Sequence, residues 1–455
     1  MTKTMTQGNP AKLVLLFTLP LLAGNLFQQF YNMMDTLIVG RTIGVNALAA
    51  VGCTGSIMFL IIGFVQGMTT GLSIATAQRF GAEDMDGVRR SFAACIVICV
   101  AVTLILTGLS VPFARPILEF MRTPAAILDD AYHYIVVIYL GTGAAMLFNL
   151  LSNIIRALGD SRTPLYFLVI ASVLNVVLDL VFILCFDMGV AGAAWATVVA
   201  QMVSGVLCIL YIIKRFPMLH LRRADFKLTG AELARHAGLG LPMGFQASII
   251  GIGVIILQFV LNGLGELSVA AFTAAQKIEQ IFCSPLSSFG MTMATYSAQN
   301  YGAGEMGRIR QGVRSCAYMS VGYSILIMVI NVLFGGSLTA LFVGAGELEV
   351  IALSATYLRI TSLFYPTLSL LFIYRYTLQG LGQGVVPTIA GIMELVMRAL
   401  GVVLLAGAFG FSGICVAYAL AWPGSMIPLL IAYLLTMYRL KFSGPRGGSP
   451  HTEVD

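Results

Sequence analysis

Ala77-Gln78-Arg79-Phe80-Gly81-Ala82 returns about 220 residues further on as Ala298-Gln299-Asn300-Tyr301-Gly302-Ala303. Met85 and Arg89 follow the first copy at the spacing at which Met306 and Arg310 follow the second. Three more anchors keep nearly the same offset. Leu19-Pro20 matches Leu241-Pro242, Leu158-Gly159 with Pro164 matches Leu381-Gly382 with Pro387, and Gly189 and Gly192 match Gly410 and Gly413. Chance likeness between apolar segments does not hold one offset over four anchors, so the chain is a duplication.

The repeated unit is built for lipid. Hydrophobic residues make up 58% of the 455 and charged residues only 10%, against about 25% charged in a soluble domain. The mean hydropathy is +0.91. Apolar stretches lie near 11–39, 46–78, 91–113, 130–157, 163–186 and 190–213, then near 237–263, 267–300, 312–334, 350–379, 386–408 and 413–439. That predicts about twelve helices in an all-α integral membrane protein with two pseudo-symmetric six-helix lobes. We place the lobes at 1–225 and 226–442 and expect a disordered cytoplasmic tail over 443–455. Lys12 before the apolar run imitates a signal peptide. The apolar character continues to Val39 and the segment has a partner later in the chain, so we expect no cleavage.

Lys and Arg set the orientation. One set of loops holds Lys3, Lys12, Arg79, Arg89, Arg90, Arg156, Arg162, Lys214 to Arg235, Arg308, Arg310, Arg314, Arg439, Lys441 and Arg446, and the opposite loops hold only Arg41, Arg115 and Arg122. The positive-inside rule puts both termini in the cytoplasm and the protein in a cell (inner or cytoplasmic) membrane. Six crossings return the chain to its starting side, so the two halves share one topology, as in parallel-repeat transporters. The net charge of +6 is spread over loops rather than gathered on a face, which argues against nucleic acid. Eight scattered cysteines have neither metal-ligand nor disulfide-framework spacing.

A charged side chain inside a span costs about 2.5–3.5 kcal/mol on insertion scales, so each one needs a reason. Asp35, Asp179 and Thr197 fall at one depth, roughly 8–12 Å below the outer surface at 1.5 Å per residue. Asn175 and Asp179 are one turn apart on a shared face. Asn25, Gln28, Asn32 and Asp35 form a polar stripe with Tyr31 beside it. Two carboxylates with amide and hydroxyl oxygens suit Na+, or else a proton. The repeat partners of Asp35 and Asp179 are aliphatic. The second half carries Gln246, Lys277, Glu279, Glu394 and Arg398 instead. Glu394 and Arg398, four apart, make an internal ion pair in the simplest reading. Lys277 and Glu279 either pair with Glu394 or line a cleft. Pro20 and Pro242 interrupt two equivalent helices, as kinks that either bend during transport or only shape the packing.

No phosphate-binding GxxxxGK[ST] loop is present, and Asp160 follows Ala-Leu-Gly rather than a GxGD sequence, so neither ATP hydrolysis nor intramembrane aspartyl proteolysis is expected. Two-fold pseudo-symmetry fits alternating access better than a channel ring.

Over residues 10–440 the chain resembles the multidrug and toxic compound extrusion (MATE) transporters. The resemblance rests on Pro20, Asn25-Leu26-Phe27-Gln28-Gln29 and Tyr31 to Asp35, the AlaGlnArgPheGlyAla turn and its repeat, and the loop Arg156-Ala157-Leu158-Gly159-Asp160-Ser161-Arg162-Thr163-Pro164. The runs Asn175 to Asp179 and Gly189 to Thr197 complete it. The resemblance implies a twelve-helix fold that exports cationic or amphiphilic small molecules in exchange for H+ or Na+, without enzymatic activity or cofactor. It implies cation or proton coupling through Asp35, Asn175, Asp179 and Thr197, with Tyr134 and Asn149, and no metal beyond Na+ at the first four. Gln28, Tyr31, Gln246, Lys277 and Glu279 are expected in the substrate cleft. One branch of the family also uses acidic residues where this chain has Gln246 and, over Leu353 to Gln379, none. The alternative is a flippase for lipid-linked oligosaccharides, whose cleft needs several cations for pyrophosphate. We expect a monomer in the lipid bilayer.

Overall fold

The computed structural model describes residues 4–344 and 346–443, and the structure is helical almost throughout. Lys3, Arg446 and the tail beyond Ser443 lie outside the described residues. The first half holds α1 (Pro10–Thr42), α2 (Val45–Gly81), α3 (Met85–Phe120), α4 (Ala125–Leu140), α5 (Thr142–Ala157), α6 (Arg162–Leu180) and α7 (Gly189–Arg215). The second holds α8 (Gly230–Asn262), α9 (Glu266–Gly302), α10 (Met306–Val343), α11 (Leu348–Ser362), α12 (Tyr365–Gly380) and α13 (Val385–Ser443). Two expected spans are broken at equivalent places, 130–157 at Gly141 with a 45° bend and 350–379 at Leu363–Phe364. The last two expected spans are two helices within Val385–Ser443 that meet at a kink at Gly410, whose backbone is not helical, with φ of +54°. Among the described residues eight helical segments are long and apolar enough to cross a membrane, nine with the bent pair α4 and α5 as one, the kinked Val385–Leu440 being counted once. α9 is too polar and α11 and α12 are too short to pass the same test.

Local chemistry sets the helix starts. Asn9 caps α1 through Lys12 N at 3.3 Å, with Pro10 at the first position. Thr229 and Glu232 form a capping box on α8. Asp84 accepts from Gly87 N at 2.8 Å at the start of α3 and takes Arg79 Nη1 at 2.7 Å. The duplication reaches the backbone too. Gly44 and Gly265 precede α2 and α9 with φ of +122° and +94°, a region that only glycine enters freely. Large apolar side chains face outward, among them Leu104, Phe259 and Val403 at 68, 80 and 75% exposure, as expected where lipid is the solvent.

The halves meet along α2 and α8. Gly67 and Gly71 face Gly240 and Gly244 so closely that a Cβ on Gly67 would lie 2.4 Å from the Met243 carbonyl. Small residues four apart allow such backbone contact inside a membrane. α1 crosses to α9 through Thr18 and Thr292 at 2.8 Å and through Asn25 and Ser288 at 3.0 Å.

Toward the side of the basic loops the repeated motif becomes a reciprocal seal. Gln78 Nε2 donates to the Gly380 carbonyl at 2.8 Å, and Gln299 Nε2 donates to the Ala157 carbonyl at 2.7 Å. Each glutamine thus reaches from one half to a main-chain acceptor in the other. Gly81 packs on the Gln299 backbone and Gly302 on the Gln78 backbone. The free amide oxygens differ in partner: Gln78 Oε1 accepts from Arg235, and Gln299 Oε1 accepts from Met5 N at 2.8 Å. The segment ahead of α1 therefore reaches across to the second half. The connection between the halves is pinned to the first, where Arg89 Nε meets both oxygens of Asp225 at 3.0 and 2.9 Å.

Candidate functional site

α6 packs between α1 and α7 and buries Asn175 and Asp179 completely. A π-helical turn, Val181–Cys185, begins two residues after Asp179, a distortion frequent at functional sites. α7 approaches through Gly141, where a Cβ would lie 2.1 Å from Val198 Cγ2. The bend between α4 and α5 thus gives room to the turn that carries Thr197. Thr197 Oγ1 accepts from the Tyr31 hydroxyl at 3.2 Å and from Asn175 Nδ2 at 3.3 Å. Asp35 of α1 reaches Asp179, and Tyr134 of α4 lies within electrostatic range of Asp35, Tyr31 and Asp179.

Four oxygens in this cluster have no hydrogen-bond donor among the described residues: Asp35 Oδ1, Asn175 Oδ1 and both of Asp179. A buried acceptor left unpaired costs about 1–3 kcal/mol, and more when charged. Acceptors gathered without donors attract a positive species, and two adjacent carboxylates hold one most strongly. The structure therefore brings together Asp35, Tyr31, Tyr134, Asn175, Asp179 and Thr197. Among the described residues no hydrogen bond joins Asn149 to this group; its amide donates to the Ala145 carbonyl one turn back at 2.8 Å. Gln28 bonds Asn32 along α1 at 3.4 Å.

The second half has a different polar centre. Glu394 is bracketed by Arg398 at 2.9 Å and Arg375 at 2.8 Å, all three buried. The expected pair with Arg398 is present, and Arg375 from α12 makes it a triad. Arg375 also reaches Ser425 at 3.3 Å, and Arg398 lies 4.9 Å from the centre of the Tyr418 ring, a cation–π contact. Neither Glu279 nor Lys277 pairs with Glu394. Glu279 Oε2 instead accepts from the Tyr357 hydroxyl. Both line a cavity of about 700 Å³, with Arg375, Glu394, Arg398 and Trp422 around it. Gln246 lies elsewhere. Its amide donates to the Pro387 carbonyl at 2.6 Å and accepts from Gln379 at 2.9 Å, which spends it inside the second half.

Pro20 and Pro242 lie inside α1 and α8, which continue as helix on both sides of them. Thr388 of α13 donates to the Pro242 carbonyl at 3.1 Å. Sequence reasoning missed the roles of Arg375 and Tyr357, which join their partners only through tertiary packing. It also read Gln78 and Gln299 as markers of the repeat alone, although their return was the signal of the seal. Among the described residues no three His, Cys, Asp or Glu side chains gather to hold a metal.

Comparison with known proteins matches this geometry to a family. A chain named "Probable multidrug resistance protein YpnP" from Bacillus subtilis is 29% identical over 386 residues, 83% of this chain and 84% of that one. "Multidrug export protein MepA" from Staphylococcus aureus is 21% identical over 426 residues, 93% of this chain and 94% of its own. A solved structure described as "Crystal structure of MATE in the bent conformation" superposes with a TM-score of 0.88 at 24% identity, covering 97 and 99% of the two chains. Another, an "Outward-facing conformation of a multidrug resistance MATE family transporter of the MOP superfamily", gives 0.87 at 22% identity over 97 and 99%. These two show a common fold. The profile of the MatE family matches residues 20–181 and again 242–404. With one match in each half of the duplication, the chain belongs to the MATE family of multi-pass membrane transporters.

Proposed function

We propose that the chain exports cationic or amphiphilic small molecules in exchange for H+ or Na+ by alternating access, with the coupling ion held at Asp35, Asn175 and Asp179. The observation that carries this is the group of four donorless oxygens buried between α1 and α6. Names of relatives sharing over four fifths of the chain speak of multidrug resistance and export. The lone pairs favour the proton. Thr197 Oγ1 already accepts two hydrogen bonds and has little left for Na+, which would keep fewer oxygens than a hard cation takes. A proton needs only one carboxylate and is held by its neighbour.

In this reading the glutamine seal closes the cytoplasmic side, where the basic loops and both termini lie. Loading the first half and opening that seal alternate, with residues 1–225 and 226–442 moving as lobes of a monomer in the cell membrane. The test is efflux of an organic cation from proteoliposomes under separately imposed pH and Na+ gradients, for wild type, Asp35→Asn and Asp179→Asn. Drive by the pH gradient that both variants lose supports the reading. Undiminished gradient-driven efflux in both sinks it, and failure of either gradient to move any organic cation transfers weight to a lipid-linked oligosaccharide flippase.

A further inference from the structure

A slot of about 460 Å³ runs along the outside of the first half and shares no lining residue with either polar centre. α5 packs on both α3 and α7, and the short turn Pro217–Leu219 of the connection between the halves touches α3 and α7 and roofs the slot. Met146 and Leu150 of α5 are buried and form the floor, while Val100 and Leu104 of α3 and Ile209 and Ile213 of α7 form exposed lips. Apart from Cys99, Thr103 and His220 the lining is apolar, and no acidic residue belongs to it. Along α3 the lining extends from Phe92 to Leu104, a rise of about 18 Å. One leaflet is half of a hydrocarbon core about 30 Å thick, so the slot spans a single leaflet. Cations gather at its roofed end. Lys214 follows the lip residue Ile213, and Arg222 and Arg223 follow Leu221 of the lining. All three are exposed, and none makes an ion pair among the described residues; Asp225, the acid of this connection, is taken by Arg89. His220 Nε2 donates to the Ile213 carbonyl at 2.8 Å, which leaves Nδ1 without a partner among the described residues.

We propose that the slot seats one acyl chain of an anionic phospholipid of the cytoplasmic leaflet, with the headgroup phosphate on Lys214, Arg222 and Arg223. Inside a bilayer an apolar slot attracts an acyl chain no more than the surrounding tails do. Selectivity therefore comes from the polar end, where basic residues beside the ends of spans draw anionic headgroups. The cations stand where the leaflet meets water, and a slot one leaflet long begins beneath them. Other occupants leave something unmet. A cationic drug finds no carboxylate in the lining. A soluble anion meets the cations but gains nothing from the floor. A zwitterionic lipid fits the slot, but its own cation opposes the three on the protein. A lipid seated here ties the connection between the halves to α3, α5 and α7, on the half to which Arg89 and Asp225 already pin it.

Lipid binding needs no gradient, so this inference and the antiport reading fail separately. Native mass spectrometry of the full chain in detergent, titrated with dioleoyl phosphatidylglycerol or dioleoyl phosphatidylcholine, compares an anionic with a zwitterionic headgroup on the same chains. The first phosphatidylglycerol binds at least about tenfold more tightly than the first phosphatidylcholine. The triple variant Lys214→Gln/Arg222→Gln/Arg223→Gln brings phosphatidylglycerol down to the level of phosphatidylcholine and leaves the latter unchanged. Val100→Trp, at a lip residue 55% exposed, fills the slot and weakens both lipids. All four positions are exposed, so none of these changes empties the core. Arg314→Gln, which removes an exposed cation of the second half, alters neither affinity. Equal affinity for the two lipids, or a preference that the triple variant keeps, overturns the proposal. So does binding that Val100→Trp leaves untouched, since it would show headgroup attraction without a seated chain.

Discussion

Gly302→Ala tests the glutamine seal. A Cβ at this position would lie 1.8 Å from the Gln78 carbonyl oxygen, where ordinary contact starts at 3.4 Å. The obstacle is backbone on a packed helix, so α2 and α9 have to part by the difference, about 1.6 Å. That displacement takes the Gln78–Gly380 and Gln299–Ala157 bonds, now 2.8 and 2.7 Å, beyond hydrogen-bond reach. Each buried group so stranded costs about 1–3 kcal/mol. Water entering the opened seam recovers part of this, leaving a loss on the order of 3 kcal/mol for the sealed state. At about 1.4 kcal/mol per tenfold, the sealed-to-open ratio falls roughly 100-fold. Spin labels at Arg162 and Gln311, both exposed at helix starts beside the basic loops, report the separation by electron double resonance once Cys53, Cys185 and Cys283 are replaced. The expected result is a shift toward longer distances in Gly302→Ala, and a matching shift in Gly81→Ala, whose Cβ would lie 1.9 Å from the Gln299 oxygen. A folded Gly302→Ala protein with the wild-type distance distribution refutes the argument, and a response from only one glycine refutes its symmetry.

Further expectations follow from the two polar centres and from the connection between the halves. Glu394→Gln leaves Arg375 and Arg398 facing each other without their anion and costs about 3–5 kcal/mol, seen as a lowered melting temperature in nanodiscs; Arg398→Gln costs less because Arg375 still neutralises Glu394. Thr197→Val strands the Tyr31 hydroxyl and the Asn175 amide and lowers stability by about 1–3 kcal/mol, with the pH profile of exchange displaced; Thr197→Ser restores both. Burial alone would raise the Asp225 carboxyl, but the Arg222 amide and the Arg89 guanidinium hold it below the ordinary range. A depressed folded value gives stability that is full above the unfolded value, about 3.9, and is lost as pH falls through the folded one. Hydrogen exchange in residues 216–229 is therefore slow and flat from neutral pH to about 4, once corrected for intrinsic rates, and quickens only below that; Asp225→Asn quickens it at neutral pH, and the difference from wild type closes at low pH.

The duplication and the membrane class were legible because each is written in local composition and in spacing along the chain. The grouping of Asp35, Asn175, Asp179 and Thr197 was legible for a related reason: helical rise converts sequence position into depth, and polar side chains in apolar spans are rare enough to be noticed. What stayed hidden depends on contacts between distant segments. Gly141 sits in a uniformly apolar run, and the break there answers to Val198 on another helix. Arg375 and Glu394 lie on different helices, so no periodicity links them, whereas Arg398 is one turn from Glu394 and was found. Gln246 looked like a cleft residue because it is polar in a span, but its hydrogen bonds close within its own half.

Gln78 and Gln299 take their acceptors from the main chain, at Gly380 and Ala157. A carbonyl oxygen is present whatever residue occupies its position, so a substitution on that side of the seal cannot delete a partner directly. The genetic target for loosening the seal is then concentrated in a few codons, those of the two glutamines and of the glycines that let the backbones approach, Gly380 among them. Selection for a leakier or faster variant of this chain should return to the same small set of sites, in matched pairs about 220 residues apart.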